Sequence, residues 1–175
     1  MTFSRRPTQS VETRAIDVLD LAVVHELLDA CMGRGYWDLD LRRAGSHRIA
    51  TVDDRIVGIA SASIVDAMRD APQVCGPIGL VRLVAVDPHF RGRGIATRLV
   101  GEVCAECERK GAKSLAAFAW VHARTDTAPL AGILKQLGFT NERRIEGFYA
   151  SLPAVDCPGC GTSPCVCAAD LYVRG

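Results

Sequence analysis

Apolar and polar positions change period several times along the chain, and each change marks an element. Residues 1–10, MTFSRRPTQS, have no period and read as a flexible N-terminal arm ahead of a strand near Glu12–Ile16. Leu21, Val24, Leu27, Leu28 and Cys31 fall at helical spacing, with Asp17 or Asp20 placed to cap the start. In HRIATVDDRIVGIASASIVD two β-branched runs flank Asp53-Asp54, which predicts a hairpin over residues 47–53 and 55–66. A further strand covers Ile78–Val86. Ile95, Leu99, Val100, Val103, Cys104 and Cys107 then make one helical stripe, and Ser114–Val121 reads as a buried strand. Leu130, Ile133, Leu134 and Leu137 predict a last helix closed by Gly138, followed by strands over about 142–150 and 169–174.

A hairpin followed by alternating helices and strands predicts an α/β (α+β) arrangement, a mixed sheet covered by helices, with no internal repeat. At 175 residues and 49% apolar, the chain holds one core of ordinary size, so residues 11–175 are expected to be a single domain.

Charge narrows the partners. The 21 basic and 20 acidic residues are spread along the chain for a net charge of +1, so no surface-wide field invites nucleic acid or a membrane. No stretch approaches the roughly 18 apolar residues of a spanning helix, and no apolar core follows the basic N-terminal residues. The expectation is a soluble, cytoplasmic protein.

The most informative stretch is RLVAVDPHFRGRGIAT, residues 82–97. A strand ends at Asp87-Pro88 and a helix begins near Gly94, so the helix's unpaired N–H groups point at whatever sits at the strand end. Gly92 and Gly94 remove Cβ atoms where a ligand would approach the backbone, and Arg91 and Arg93 add charge suited to phosphate oxygens. A glycine turn with solvated arginines is the plain alternative for such a loop.

The segment VRLVAVDPHFRGRGIATRLV, with R-x-x-G-x-A running from Arg91 to Ala96, resembles the acyl-CoA-binding segment of the GNAT superfamily of N-acyltransferases. LKQLGF at 134–139 resembles that family's segment ahead of its final hairpin, and the order of elements fits over most of residues 11–174. The resemblance implies a mostly antiparallel central sheet flanked by helices, with acetyl-CoA as co-substrate. It also implies that the backbone of Val84, Ala85 and Val86 pairs with the pantetheine arm, and that Arg91, Gly92, Arg93, Gly94, Ile95, Ala96 and Thr97 surround the pyrophosphate.

Acyl transfer to an amine needs a deprotonated amine, a held oxyanion and a stabilised leaving thiolate. By resemblance, a backbone N–H at Val84 or Val86 is the oxyanion donor. One family position for a catalytic glutamate holds Arg82 here. The other, used by the branch that acetylates ribosomal-protein N-termini, holds His122, whose reference pKa near 6.5 suits a base at neutral pH. The family's acid is a tyrosine, but its position is Leu134, which leaves Tyr149 on the final hairpin as the candidate acid, or a thiolate that departs unaided.

Eight cysteines remain to be placed. Cys157, Cys160, Cys165 and Cys167 form C-x-x-C and C-x-C arms around Gly and Pro within residues 156–168, a loop between the last two strands, and four thiolates at about 2.3 Å would favour structural zinc. Disulfides or a redox-sensitive loop are the alternative, disfavoured in a reducing compartment. Cys104 and Cys107 belong to the helix stripe and are expected in the core; Cys31 and Cys75 stand alone. Trp37 and Trp120 read as core or pocket-wall aromatics. Residues 33–45, containing GYWDLD, correspond to the family's acceptor-choosing region, and Asp38, Asp40, Asp66 and Asp70 could draw in a cationic amine. The expected activity is acetyl transfer from acetyl-CoA to a primary amine of a small molecule, peptide or protein N-terminus. An acyl-CoA-binding sensor or scaffold is the alternative, and a homodimer stays open.

Overall fold

The computed structural model describes residues 10–152 and 157–175. The expected N-terminal arm, apart from Ser10, lies outside these residues, as does Asp156 at the head of the cysteine loop.

Seven strands form one sheet in the order β1-β2-β3-β4-β5-β7-β6. They are β1 (Val11–Ala15), β2 (Gly45–Val52), β3 (Arg55–Val65), β4 (Ile78–Val86), β5 (Ser114–Val121), β6 (Thr140–Ile145) and β7 (Ala168–Arg174), with helices α1 (Leu21–Met32), α2 (Ile95–Arg109) and α3 (Ala131–Gln136). Every pairing is antiparallel except β4 with β5. Asp17, not Asp20, supplies the cap: its carboxylate accepts from the Leu19 N–H and opens a short 3-10 turn that leads into α1. The strand predicted over 142–150 is shorter and earlier, because the chain leaves the sheet at Ile145 and turns through residues 146–150.

Two faces are covered differently. On one, α2 buries Ile95, Leu99, Val100, Val103, Cys104 and Cys107 against Val57, Ala60, Ala117 and Tyr172. Burying a Leu, Ile or Val side chain contributes about 1.5–3 kcal/mol, so packing and not propensity holds this helix, whose interior carries Gly101 and the β-branched Thr97, Val100 and Val103. On the other face α1 packs Val24 and Leu28 on Ile49, Ile59, Leu83 and Ala85. The rest of that face, over β4, β5 and β7, is covered by connecting segments instead of a helix, and these carry Met68 and Ala71.

The strands β4 and β5 form a fork. Their parallel ladder runs from Ile78↔Ser114 to Val81↔Ala117 and stops, while β4 continues to Val86 and β5 to Val121. Opposite β3, Ala62 pairs with Val81 and Ser61 with Leu83, so Arg82 is an extra, unpaired residue. This bulge shifts the alternation by one: Val81, Val84 and Val86 face α2, whereas Leu83 and Ala85 face α1.

Candidate active site and cysteine centre

The loop after β4 opens toward the fork. Asp87 caps a 3-10 turn at Pro88–Phe90 by accepting from the His89 N–H, and Gly94 then starts α2 with no side-chain cap. Gly92 and Gly94 both have φ of +74°, and a Cβ built on either meets nothing within 4 Å. The chain thus enters α2 through left-handed backbone that glycine adopts at little cost, and the first N–H groups of the helix have no side-chain cap. The arginines are held locally: Arg91 Nε donates to the Val86 carbonyl at 3.0 Å, and Arg93 lies over the Phe90 ring at 5.0 Å. Ile95 is buried in the core, so only its backbone is available to a ligand. Ala96 and Thr97 are half-buried beside it.

Beside the fork, on the α1 face, lies a cleft of about 400 Å³. Its walls include Tyr36, Trp37, Met68, Arg82, Phe118 and Tyr149. Arg82, the bulged residue, reaches Asp38 at 3.5 Å, and Asp38 also pairs with Arg43 at 2.6 Å. Asp70 lines the cleft as well, whereas Asp40 is paired with Arg42 at the surface and Asp66 is exposed. Trp37 donates its indole N–H to Asp29 at 2.9 Å, which fixes that wall to α1.

The expected catalytic side chains are placed unequally. Tyr149 lines the cleft from the turns after β6 rather than from a hairpin strand, as the sequence suggested, and burial pushes its phenol above the ordinary value. His122 sits just past the end of β5, bridged to Thr127, with its ring 5.4 Å from that of Trp120 and its pKa lowered by burial. It is not among the residues lining the cleft. Leu134, at the position where the resemblance places the family's tyrosine, is fully buried in the core.

The four cysteines converge. The sulfurs of Cys157, Cys160, Cys165 and Cys167 all lie within 4.8 Å of one another and all four residues are buried. The closest contacts are Cys157–Cys165 at 3.4 Å, Cys157–Cys167 at 3.7 Å and Cys160–Cys165 at 3.8 Å, with no disulfide among them. A tetrahedron with metal–sulfur bonds of about 2.3 Å has sulfur–sulfur edges of roughly 3.8 Å, so the donor set fits zinc. N–H groups of Cys167 and Ala123 point at Cys165 and Cys167 at 3.4 and 3.5 Å. Burial opposes ionisation of Cys160, yet hydrogen bonds from the Thr162 side chain and the Val166 amide bring its thiol down to about 6. Gly159 lets this loop approach β5: a Cβ there would stand 3.0 Å from Cys167 Sγ and 3.1 Å from the His122 ring. By contrast Cys104 and Cys107 are core residues, and burial raises the Cys104 thiol to about 12. Cys31 is half-buried and its thiol points at the Val86 carbonyl, 3.6 Å away, while Cys75 is exposed.

Tyr36 is not distinguished by the sequence beyond its place in GYWDLD. It is only 6% exposed and stacks on Trp120 at 5.1 Å and 19°, against the cysteine cluster. Two adjacent aromatics in a polar loop are the available signal.

A mixed sheet forked at a bulge, with a helix N-terminus lacking a side-chain cap after β4 and a cleft beside the fork, defines the class: a mixed α/β domain with a seven-stranded, mostly antiparallel sheet flanked by helices. Residues 15–139 match the acetyltransferase (GNAT) family, and the chain belongs to that family. It is similar in fold to Arabidopsis thaliana NAA60 bound to a bisubstrate analogue, at 18% identity and TM-score 0.69 over 94% of this chain and 97% of that one. The Escherichia coli ribosomal-protein-S18-alanine N-acetyltransferase matches at 16% identity and TM-score 0.65, over 94% and 92% of the two chains. Salmonella typhimurium yncA with acetyl-CoA matches at 15% identity and TM-score 0.66, over 94% and 93%. No curated protein sequence matches. No helix among the described residues is long and apolar enough to cross a membrane.

Proposed function

We propose that this protein transfers an acetyl group from acetyl-CoA to a primary amine of a small molecule, peptide or protein N-terminus, by direct attack in a ternary complex. The observation that carries this reading is the fork: the ladder between β4 and β5 ends at Val81↔Ala117, beside helix N–H groups with no Cβ above Gly92 or Gly94. In this reading the pantetheine amides pair with the backbone of Val84, Ala85 and Val86, and the pyrophosphate meets the loop from Arg91 to Thr97. The acetyl-CoA bound by yncA and the ribosomal-protein-S18 alanine acetylated by the Escherichia coli enzyme, two proteins of similar fold, agree with it.

The amine nitrogen attacks the thioester carbonyl carbon, the C–S bond breaks, and a backbone N–H at Val84 or Val86 holds the oxyanion meanwhile. Tyr149, kept protonated by burial in the cleft wall, gives its proton to the departing thiolate. His122 is the base that accepts the amine's proton, although it is not among the residues lining the cleft. The acceptor enters along the 33–45 side, between Trp37 and Met68. Cys157, Cys160, Cys165 and Cys167 hold one structural zinc ion that takes no part in the transfer.

The test is release of CoA from acetyl-CoA against a panel of amines, peptides and N-termini. Turnover with at least one acceptor supports the enzyme. Tight acetyl-CoA binding without release on any acceptor would favour a sensor or scaffold instead. Metal analysis of protein purified under reducing conditions tests the zinc assignment, with one equivalent expected and near zero in Cys160→Ser/Cys165→Ser.

A further inference from the structure

Resting on that zinc assignment, we propose that Tyr36 and Trp120 are the outer shell of the zinc–thiolate centre. Through O–H···S and N–H···S bonds they tie the wall of the acceptor cleft to the metal.

The side chains are already gathered in one buried cluster. The Tyr36 hydroxyl and the Trp120 indole N–H are both buried and neither makes a hydrogen bond of ordinary geometry. Unpaired donors in such surroundings are costly unless an acceptor is at hand. The acceptors at hand are sulfurs: Tyr36 is clustered with Cys157, Cys160, Cys165 and Cys167, and Trp120 packs against the same cluster. As neutral thiols these are weak acceptors.

Zinc binding changes that. As zinc binds, the cysteines still protonated release their protons to solvent, and four thiolates with Zn2+ leave the centre with a net charge of −2, buried. An anion so placed must be met by donors. Cys165 and Cys167 receive backbone N–H groups, and Cys160 sits 3.1 Å from the Thr162 hydroxyl. Cys157 is held by thiol contacts to Cys165 and Cys167, whose S–H protons are the ones lost. The Tyr36 hydroxyl is placed to replace them.

The same two rings lead to the cleft. Tyr36 stacks on Trp120, Trp120 meets Tyr149 at 5.1 Å, and Tyr36 and Tyr149 both line the cleft. Pro158, between the first two cysteines, packs on the loop that carries Tyr36: a Cβ at Gly33 would touch its ring at 3.0 Å. Loading the metal thus fixes residues 33–41 and 146–152, the acceptor side, and leaves the acetyl-CoA loop untouched.

The test uses zinc, and cobalt as its spectroscopic substitute. Tyr36→Phe and Trp120→Phe keep a ring in the stack and remove only the donor or reduce the indole. Each should weaken zinc 10- to 100-fold in chelator competition, the usual effect of losing an outer-shell partner. In the cobalt-loaded Tyr36→Phe protein the thiolate-to-metal charge-transfer band should move to lower energy, a shift that a packing role would not cause. Acetyl-CoA affinity should stay within twofold, which also reports that the variants are folded. Removing zinc from the wild-type protein should raise hydrogen exchange in residues 33–41 and 146–152 and not in 91–100. If zinc binds at one per chain but both variants keep wild-type affinity and band position, the outer-shell inference is wrong while the zinc assignment stands. If no metal binds and no cobalt–thiolate band forms, both fall.

Discussion

Replacing Gly94 with valine separates the two things that glycine does. With φ of +74° and no atom within 4 Å of where a Cβ would stand, the position is strained for any L side chain but sterically open on the ligand side. The strain costs roughly 1–2 kcal/mol of stability. The new isopropyl group would also occupy the space through which a phosphate reaches the first N–H groups of α2. Each charge-assisted hydrogen bond lost there is worth about 1.5–3 kcal/mol, so acetyl-CoA should bind roughly 10- to 150-fold more weakly. Gly111 is the control: it follows the other end of α2, has φ of +100°, and likewise has nothing within 4 Å. Gly111→Val should lose comparable stability and keep its affinity. The assay is calorimetric titration with acetyl-CoA, with thermal unfolding of both variants alongside. A folded Gly94→Val protein that binds acetyl-CoA within threefold of wild type would refute the assignment of this loop to the pyrophosphate.

Other substitutions probe the remaining claims. Tyr149→Phe should reduce kcat on the order of 100-fold without changing acetyl-CoA affinity, and a wild-type kcat would remove the acid from this residue. Leu134→Tyr, which restores the family's side chain at a fully buried site, should not raise activity. It should overpack the core by about 1–3 kcal/mol, lowering Tm by roughly 2–12 °C. Gly159→Val would drive a side chain into Cys167 Sγ and the His122 ring, so zinc should be lost to a chelator more readily than from wild type. Acidification should release zinc from the wild-type protein, because binding expels protons and low pH reverses that exchange; direct metal analysis across pH checks it.

The parts legible in the sequence are those set by near neighbours. The stripe from Ile95 to Cys107 has one helical period because one face of α2 meets the sheet, so spacing alone predicts it. The glycine loop is legible because a positive φ and an uncapped helix start are local properties, and the cysteine arms are legible because Gly and Pro turns bring close residues together. What depends on distant chain segments is hidden. The bulge at Arg82 is a slip in register against β3, and the fork is where β4 and β5, far apart in sequence, cease to pair. Pattern alone makes the strand after α3 too long, because Phe148, Tyr149 and Ala150 read as strand residues, whereas Phe148 in fact packs on Phe118 beside the cleft instead of extending the ladder. Arg91 reads as a free phosphate ligand, yet it also braces the Val86 carbonyl. Tyr36 is silent in the sequence because its hydroxyl acquires meaning only when the loop after α1 is laid against sulfurs more than a hundred residues away. A residue's own spacing predicts the element it joins; only packing decides which other element its polar atom must satisfy.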